Sequence, residues 1–255
     1  MQVLGEEGLN PLRLFWQPGC SSCQRVKEYL TGKGLAFESV NVREQPAAVA
    51  DLQRLGARSV PVVSHGDRFV YAQSLDDVAS FLGLLALPAP LAPAITLPRI
   101  AYFLEMARVE AAALPTALLE LHWPGREDRA MADLAWHVPM IAEATLCALH
   151  GGLLDYAWFE RRPSAAERHP AAIAEQAQTT AVRWRAMREQ SADVLPTTLQ
   201  TYYGPQPLAA VLERTAWHMA QHLRQWQRWL VEQGYAPAAP LQPADTADLP
   251  MPEGL

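Results

Sequence analysis

Lysine is almost missing from this chain. Of its 21 basic residues only Lys27 and Lys33 are lysines, and 27 acidic residues leave a formal net charge of −6. A weakly acidic chain without clustered cations is a poor candidate for binding phosphate backbones, and no nucleic-acid partner is expected. Long apolar runs are also lacking. None approaches the roughly 20 consecutive apolar residues that span a bilayer, so no membrane partner is expected. Met1 to Asn10 is acidic and has no apolar stretch, which predicts no secretory signal and a cytoplasmic location. Cysteine is scarce. Cys20, Cys23 and Cys147 are too few for a disulfide framework. What is present is a globular composition, 50% hydrophobic and 19% charged, which excludes wholesale disorder. A length of 255 residues allows two ordinary domains or one large one.

Prolines divide the chain. Gly83 to Pro98 carries Pro88, Pro90, Pro93 and Pro98 with no charge, a spacing that predicts an extended linker over 85–97. Pro237, Pro240, Pro243, Pro250 and Pro252 predict an irregular tail over 236–255. That leaves domains at 1–84 and 98–235.

The two domains differ in rhythm. In the first, strand-like runs at 12–16, 37–42, 60–63 and 68–71 alternate with helix-like runs at 20–31, 46–55 and 74–82. His65-Gly66-Asp67 reads as a hairpin turn, and Ser74-Leu75-Asp76-Asp77 as a capping box. The order is βαβαββα, an α/β domain. In the second, four long amphipathic helices are predicted at Ile100–Leu121, Arg129–His150, Ala165–Gln190 and Leu208–Glu232, an all-α four-helix bundle.

Trp16-Gln17-Pro18-Gly19-Cys20-Ser21-Ser22-Cys23 puts Cys20 just past a strand and at the start of a helix. Backbone N–H groups and the helix dipole stabilise a thiolate there, and the thiolate is the nucleophile of disulfide exchange. Cys23, one turn further on, can resolve a mixed disulfide. The competing reading is half of a zinc site, but no second Cys-x-x-Cys or nearby histidine pair completes it in this half.

On these residues the first half resembles the glutaredoxin/thioredoxin superfamily, over roughly 11–84. Ser59-Val60-Pro61 resembles that family's threonine-valine-proline motif, whose proline is cis and faces the cysteines. The resemblance implies a thioredoxin-like fold, catalytic roles for Cys20, Cys23 and Pro61, and thiol binding by Gln17, Val60, Ser74, Asp76 and Asp77. Three positions differ from many glutaredoxins. Gln17 stands where they have lysine, Ala72-Gln73 where they have paired glycines, and Ser21-Ser22 where Pro-Tyr is common. A thioredoxin-reduced protein or another low-molecular-weight thiol therefore stays open beside glutathione.

Trp217-His218-Met219-Ala220-Gln221-His222 places two imidazoles at i and i+4 on one helix face, a spacing that can hold one metal. His137 lies among apolar residues of another candidate helix. A lone core histidine satisfied by a hydrogen bond is the competing reading for His137, and the pair alone is ambiguous. Glu143 reads as an acceptor beside His137 or as a solvated carboxylate. Cys147 and the six tryptophans from Trp136 to Trp229 read as packing, and His65, His122, His150 and His169 as loop or helix-end residues.

One histidine on the second helix and His-x-x-x-His on the fourth resemble the DinB-like (YfiT-like) superfamily of four-helix metal proteins, over about 98–233. That resemblance implies a divalent metal on His137, His218 and His222, with zinc first and nickel or iron as alternatives. It also implies homodimers, and S-transfer chemistry with a low-molecular-weight thiol. The combined expectation is a thiol-disulfide oxidoreductase joined to a metal-dependent thiol S-transferase. Its expected partners are glutathione or a similar thiol, and a small electrophile or disulfide. A non-enzymatic redox or metal sensor, or a glutaredoxin carrying a dimerisation bundle, is the alternative.

Overall fold

The computed structural model describes residues 11–123, 126–189 and 195–254, without the side chains of 123, 126–128 and 188. The expectations placed on Met1 to Asn10, on Pro124-Gly125 and on Gln190 lie outside the described residues. The chain forms two compact units, one running to Ala89 and including Pro252–Gly254, the other spanning Pro90–Met251.

The first unit follows the expected order: β1 (Leu12–Trp16), α1 (Ser21–Gly32), β2 (Glu38–Asn41), α2 (Pro46–Leu55), β3 (Val62–His65), β4 (Arg68–Tyr71) and α3 (Leu75–Phe81). The sheet runs β2-β1-β3-β4, with β1 parallel to β2 and antiparallel to β3. Alternation along β1 builds two cores. Leu14 packs with Val26 and Leu30 of α1 and Leu75 and Val78 of α3, while Phe15 packs with Ala48 and Leu52 of α2. Helices therefore cover both faces of a mixed sheet, which is the thioredoxin-like fold. Gly66 (φ 61°) opens the β3–β4 turn in the left-handed region that a side chain disfavours. The Ser74 hydroxyl accepts from the Asp77 N–H at 3.2 Å and caps α3. The backbone N–H groups of Glu253 and Gly254 donate to the Glu28 carboxylate of α1, at 2.9 Å each.

The second unit is largely helical: α4 (Pro93–Ala113), α5 (Met131–Leu149), α6 (Ala157–Glu160), α7 (Pro170–Arg188) and α8 (Leu208–Glu232). Short ladders join β5 (His122–Trp123) to β6 (Arg126–Ala130) and β7 (Thr198–Leu199) to β8 (Gln206–Pro207). α4 packs on α7 and α8, and α5 packs on α8 and α7. Trp136, Trp184, Trp217, Trp226 and Trp229 are buried in this core. The Trp184 indole N–H donates to the Ala142 carbonyl at 3.2 Å. No helix among the described residues is long and apolar enough to cross a membrane.

Three expected boundaries are corrected. The linker does not extend over 85–97, because α4 begins at Pro93 and runs through Pro98. Pro93 fills the first turn, where its missing N–H has no helical acceptor in any case. Pro98 costs about 3 kcal/mol in a helix interior. Burial of Leu97, Ile100, Phe103 and Leu104 outweighs that, at about 1.5–3 kcal/mol per side chain. The same helix ends at Ala113 rather than Leu121, since Pro115 holds Leu114 in extended backbone (ψ 119°). α7 starts at Pro170 rather than Ala165, where the His169 ring Nδ1 accepts from the Ala171 N–H at 3.3 Å.

The tail is irregular apart from a short 3-10 turn at Pro243–Thr246, but it is pinned. Buried Glu110 of α4 accepts from Ala238 N at 3.1 Å, Ala239 N at 3.0 Å and Gln227 Nε2 at 2.9 Å. Gln227 in turn accepts from Leu241 N at 2.8 Å.

Candidate functional site

Two clusters carry chemistry, one in each unit. In the first unit the register sets Phe15 opposite Val62 and Val62 opposite Tyr71. The end of β1, the start of β3 and the end of β4 thus share one end of the sheet. Cys20 follows β1 there, Pro61 precedes β3, and Ser74 follows β4. Gly19 (φ 66°) makes the turn after Pro18 that delivers Cys20 to the N-cap of α1. The Cys20 sulfur accepts from the Cys23 N–H at 3.1 Å. Cys20 and Cys23 are disulfide-bonded, with Cα atoms 5.1 Å apart. Cys20 is half-buried while Cys23 is 2% exposed, so Cys20 is the more accessible of the pair.

The Val60–Pro61 peptide is cis, the conformation the resemblance implied. The Pro61 carbonyl accepts from Ala72 N at 2.9 Å, and the Val60 carbonyl accepts from Gln73 Nε2 at 3.2 Å. The other positions expected to bind a thiol are engaged within the unit. Gln17 Oε1 accepts from Arg43 Nε at 3.2 Å, Ser74 caps α3, and Asp76 accepts from Leu87 N at 3.2 Å. Asp77 is half-buried in the first turn of α3. Sequence reasoning passed over Lys27, one turn beyond Cys23, whose ammonium lies 4.7 Å from the Trp16 ring centroid.

In the second unit α5 supplies His137, and α8 supplies His218 and His222. All three are buried, and one ligand atom from each lies within 4.8 Å of the others. His218 Nε2 and His222 Nε2 stand 3.0 Å apart. The His137 ring centroid lies 4.9 Å from that of His222 and 5.7 Å from that of His218. Burial pushes His137 and His218 well below the ordinary histidine range. Arg129 adds to this for His137, and the imidazole of His222 and then Arg214 add to it for His218. For His137 and His218 burial thus favours the neutral form, which offers a lone pair to a metal. His222 Nδ1 lies 2.7 Å from Gln225 Oε1. An amide oxygen can only accept, so that contact places the proton on Nδ1 and turns the Nε2 lone pair toward His218. His218 Nδ1 is buried without a hydrogen-bond partner among the described residues.

Phe159 of α6 borders this cluster, its ring centroid 6.4 Å from His137 and 6.2 Å from His218. Tyr202 stacks 5.8 Å from Phe159, and Tyr203 lies 4.9 Å from Tyr202. Gln225 and the aromatic border were missed in the sequence, although Gln225 follows His222 at helical spacing. Glu143 is not an acceptor for His137, and its carboxylate is 24% exposed. It meets α7, 3.5 Å from Arg183 and 3.3 Å from Gln176, because six residues carry it round α5 away from His137. Cys147 is only half-buried. His150 closes α5 with its ring Nδ1 2.7 Å from the Leu146 carbonyl.

A mixed sheet flanked by helices, with a Cys-x-x-Cys at a helix N-cap and a cis-proline before β3, defines a thioredoxin-like redox unit. The glutaredoxin family model matches residues 12–70, and the chain belongs to the glutaredoxin family through this unit. Glutaredoxin-like protein NrdH of Lactococcus lactis subsp. lactis (strain IL1403) is 35% identical over 48 residues, 19% of this chain and 67% of that protein. N-acetyl-S-hydroxy-L-cysteine reductase of Bacillus subtilis (strain 168) is 45% identical over 49 residues, 19% of this chain and 53% of that protein. Gene 56 protein of Mycobacterium phage L5 is 41% identical over 54 residues, 21% of this chain and 52% of that protein. The chain thus spans about half the length of two of these relatives and two thirds of the other. No solved structure matches the chain.

Proposed function

We propose that the chain is a cytoplasmic two-unit thiol enzyme, a thiol-disulfide oxidoreductase joined to a DinB-like four-helix bundle acting as a metal-dependent thiol S-transferase. In the first unit the Cys20 thiolate attacks one sulfur of a small disulfide, and the other sulfur leaves with the bonding pair. The Cys23 thiolate then attacks Cys20 Sγ and releases the second thiol. The two cysteine protons end on the two product thiols, and the substrate has gained two electrons. Two equivalents of glutathione or a similar thiol return Cys20–Cys23 to the dithiol and leave as their own disulfide. The name of the Bacillus subtilis relative extends the substrate class to an S-hydroxy cysteine derivative. There Cys20 attack would expel hydroxide, protonated to water, and Cys23 would release the cysteine thiol.

The transferase reading is carried by one observation, the convergence of His137, His218 and His222 as buried imidazoles. A divalent ion held by the three, zinc first and nickel or iron otherwise, would supply a Lewis acid that lowers the pKa of a thiol. Gln225 would fix the His222 tautomer, and Phe159 would limit water at the rings. In the transfer the thiolate sulfur bonds to an electrophilic carbon, the leaving group departs with the bonding pair, and the thiol proton passes to solvent.

Turnover tests both halves. The full chain should reduce a small disulfide catalytically with a thiol as reductant, and conjugate that thiol to an aryl halide only when loaded with metal. Cys20→Ser should remove the first activity alone, and His218→Ala the second alone. Purely stoichiometric change in both assays rejects the proposal.

A further inference from the structure

Cys20, Gln24 and Glu28 stand at i, i+4 and i+8 along α1, on the face that begins at the redox pair. The Gln24 N–H donates to the Cys20 carbonyl at 3.1 Å, the helical bond that sets Gln24 one turn beyond Cys20. The Gln24 amide donates to Glu28 Oε1 at 2.7 Å and joins the two side chains along that face. The chain brings its residues 252–254 onto this pair. The Glu253 N–H donates to Glu28 Oε2 and the Gly254 N–H to Glu28 Oε1, at 2.9 Å each. Two successive backbone N–H groups on one carboxylate are charge-assisted bonds that orient the segment. A Cβ on Gly254 would lie 2.8 Å from Gln24 Nε2. The missing side chain thus lets the backbone lie against Gln24, one turn from Cys20. Ser21 and Ser22, between the cysteines, are 4% and 7% exposed, and Cys23 is 2% exposed. Cys20 is the more accessible sulfur, and the segment lies beside it along the same helix face.

We propose that residues 252–254 form a strap along the Cys20 face of α1, and that this strap selects small disulfides over disulfides carried by a protein. The proposal rests on disulfide exchange at Cys20 and names what sets its substrate class. A small disulfide needs room only at the Cys20 sulfur. A disulfide carried by a protein brings flanking chain with it, and that chain meets α1 where the strap lies. Glu28 is the anchor, because its carboxylate accepts both N–H groups of the strap. Gln24 is the seat, because it holds Glu28 and takes the backbone of Gly254.

The test is a single-turnover reaction of the pre-reduced full chain, which itself carries the two electrons that the disulfide takes up. The probes are bis(2-hydroxyethyl) disulfide and insulin. Each reaction is quenched with iodoacetamide, and intact mass reports how much of the Cys20–Cys23 dithiol has become disulfide. Two variants release the strap from opposite sides: Glu28→Ala removes the acceptor, and Gly254→Pro removes a donor and adds bulk against Gln24. Both should raise the rate with insulin about tenfold or more, the factor by which losing a hydrogen bond to a charged group shifts an equilibrium. Both should leave the rate with the small disulfide within about twofold. Insulin reacting with the unsubstituted chain as fast as with the variants overturns the proposal. So does a gain in Glu28→Ala that Gly254→Pro does not share, since the effect would then belong to the helix and not to the strap. A parallel gain with both probes also overturns it, because selection by size would be absent. Failure of the small disulfide to oxidise the unsubstituted chain overturns the exchange reading itself, and the strap with it.

Discussion

His218 Nε2 and His222 Nε2 face each other at 3.0 Å, one turn apart on α8. Two Nε2 atoms at that distance can share only one proton between them. The arrangement leaves His218 Nδ1 buried and without a hydrogen-bond partner among the described residues. His137, His218 and His222 are the residues that would hold a divalent ion here, and it would supply a Lewis acid.

Gln225 should matter to metal affinity without touching the metal. Its Oε1 holds His222 Nδ1 at 2.7 Å. Gln225→Leu removes the acceptor that fixes the tautomer. Zinc affinity, read by competition with a chromophoric chelator, should fall about 10–100-fold. An unchanged affinity would mean that the contact is incidental.

The cysteines should separate by role. Cys20 is the more exposed of the pair and stands at the N-cap of α1. Cys20→Ser should abolish disulfide reduction, whereas Cys23→Ser should accumulate a mixed disulfide visible by intact mass. Reductase activity surviving in Cys20→Ser would place the nucleophile elsewhere.

Glu110 should stabilise the second unit through the tail. Its buried carboxylate accepts three hydrogen bonds, from Gln227, Ala238 and Ala239. Glu110→Ala leaves buried donors without an acceptor and should cost about 2–4 kcal/mol by denaturant titration. Proteolysis within 234–242 should also become faster. A stability change near zero would show that the tail contributes nothing.

Asp51 gives the first unit a defined acid limb. The Arg13 hydrogen bond at 2.7 Å, with Arg54 assisting, holds the Asp51 carboxyl below its ordinary value of 3.8. A carboxyl lowered on folding stabilises the fold fully above 3.8, and that stability is lost as pH falls through the lower folded value. Arg13→Ala should therefore be destabilising at pH 6, with the difference from the parent shrinking below about pH 4. A difference that persists unchanged at acid pH would assign the effect to packing.

Much of this architecture is legible because it is local. The alternation in β1, the hairpin at Gly66 and the Ser74 cap are written in a few adjacent residues, and so are the Cys-x-x-Cys and His-x-x-x-His spacings. The start of α4 is not local. Four prolines argue for a linker, and only the buried apolar face of Leu97, Ile100 and Leu104 settles the contest at Pro98. Nor is the role of Glu110 visible in one dimension. It is a common polar residue on a helix, and its role comes from Gln227 and the tail that the fold brings against it. Glu143 shows the same limit: sequence distance from His137 left an acceptor and a solvated carboxylate both open, and the helix turns it toward Arg183.

The measurement that tests the central claim most directly is the metal content of the purified full chain beside His137→Ala, His218→Ala and His222→Ala, with both activities assayed on the same samples. The account predicts a near-stoichiometric divalent ion in the parent. Each variant should lose that ion and the transferase turnover with it, while keeping Cys20-dependent disulfide reduction. A parent that stays metal-free after incubation with zinc, nickel and iron yet turns over thiol and electrophile would contradict it.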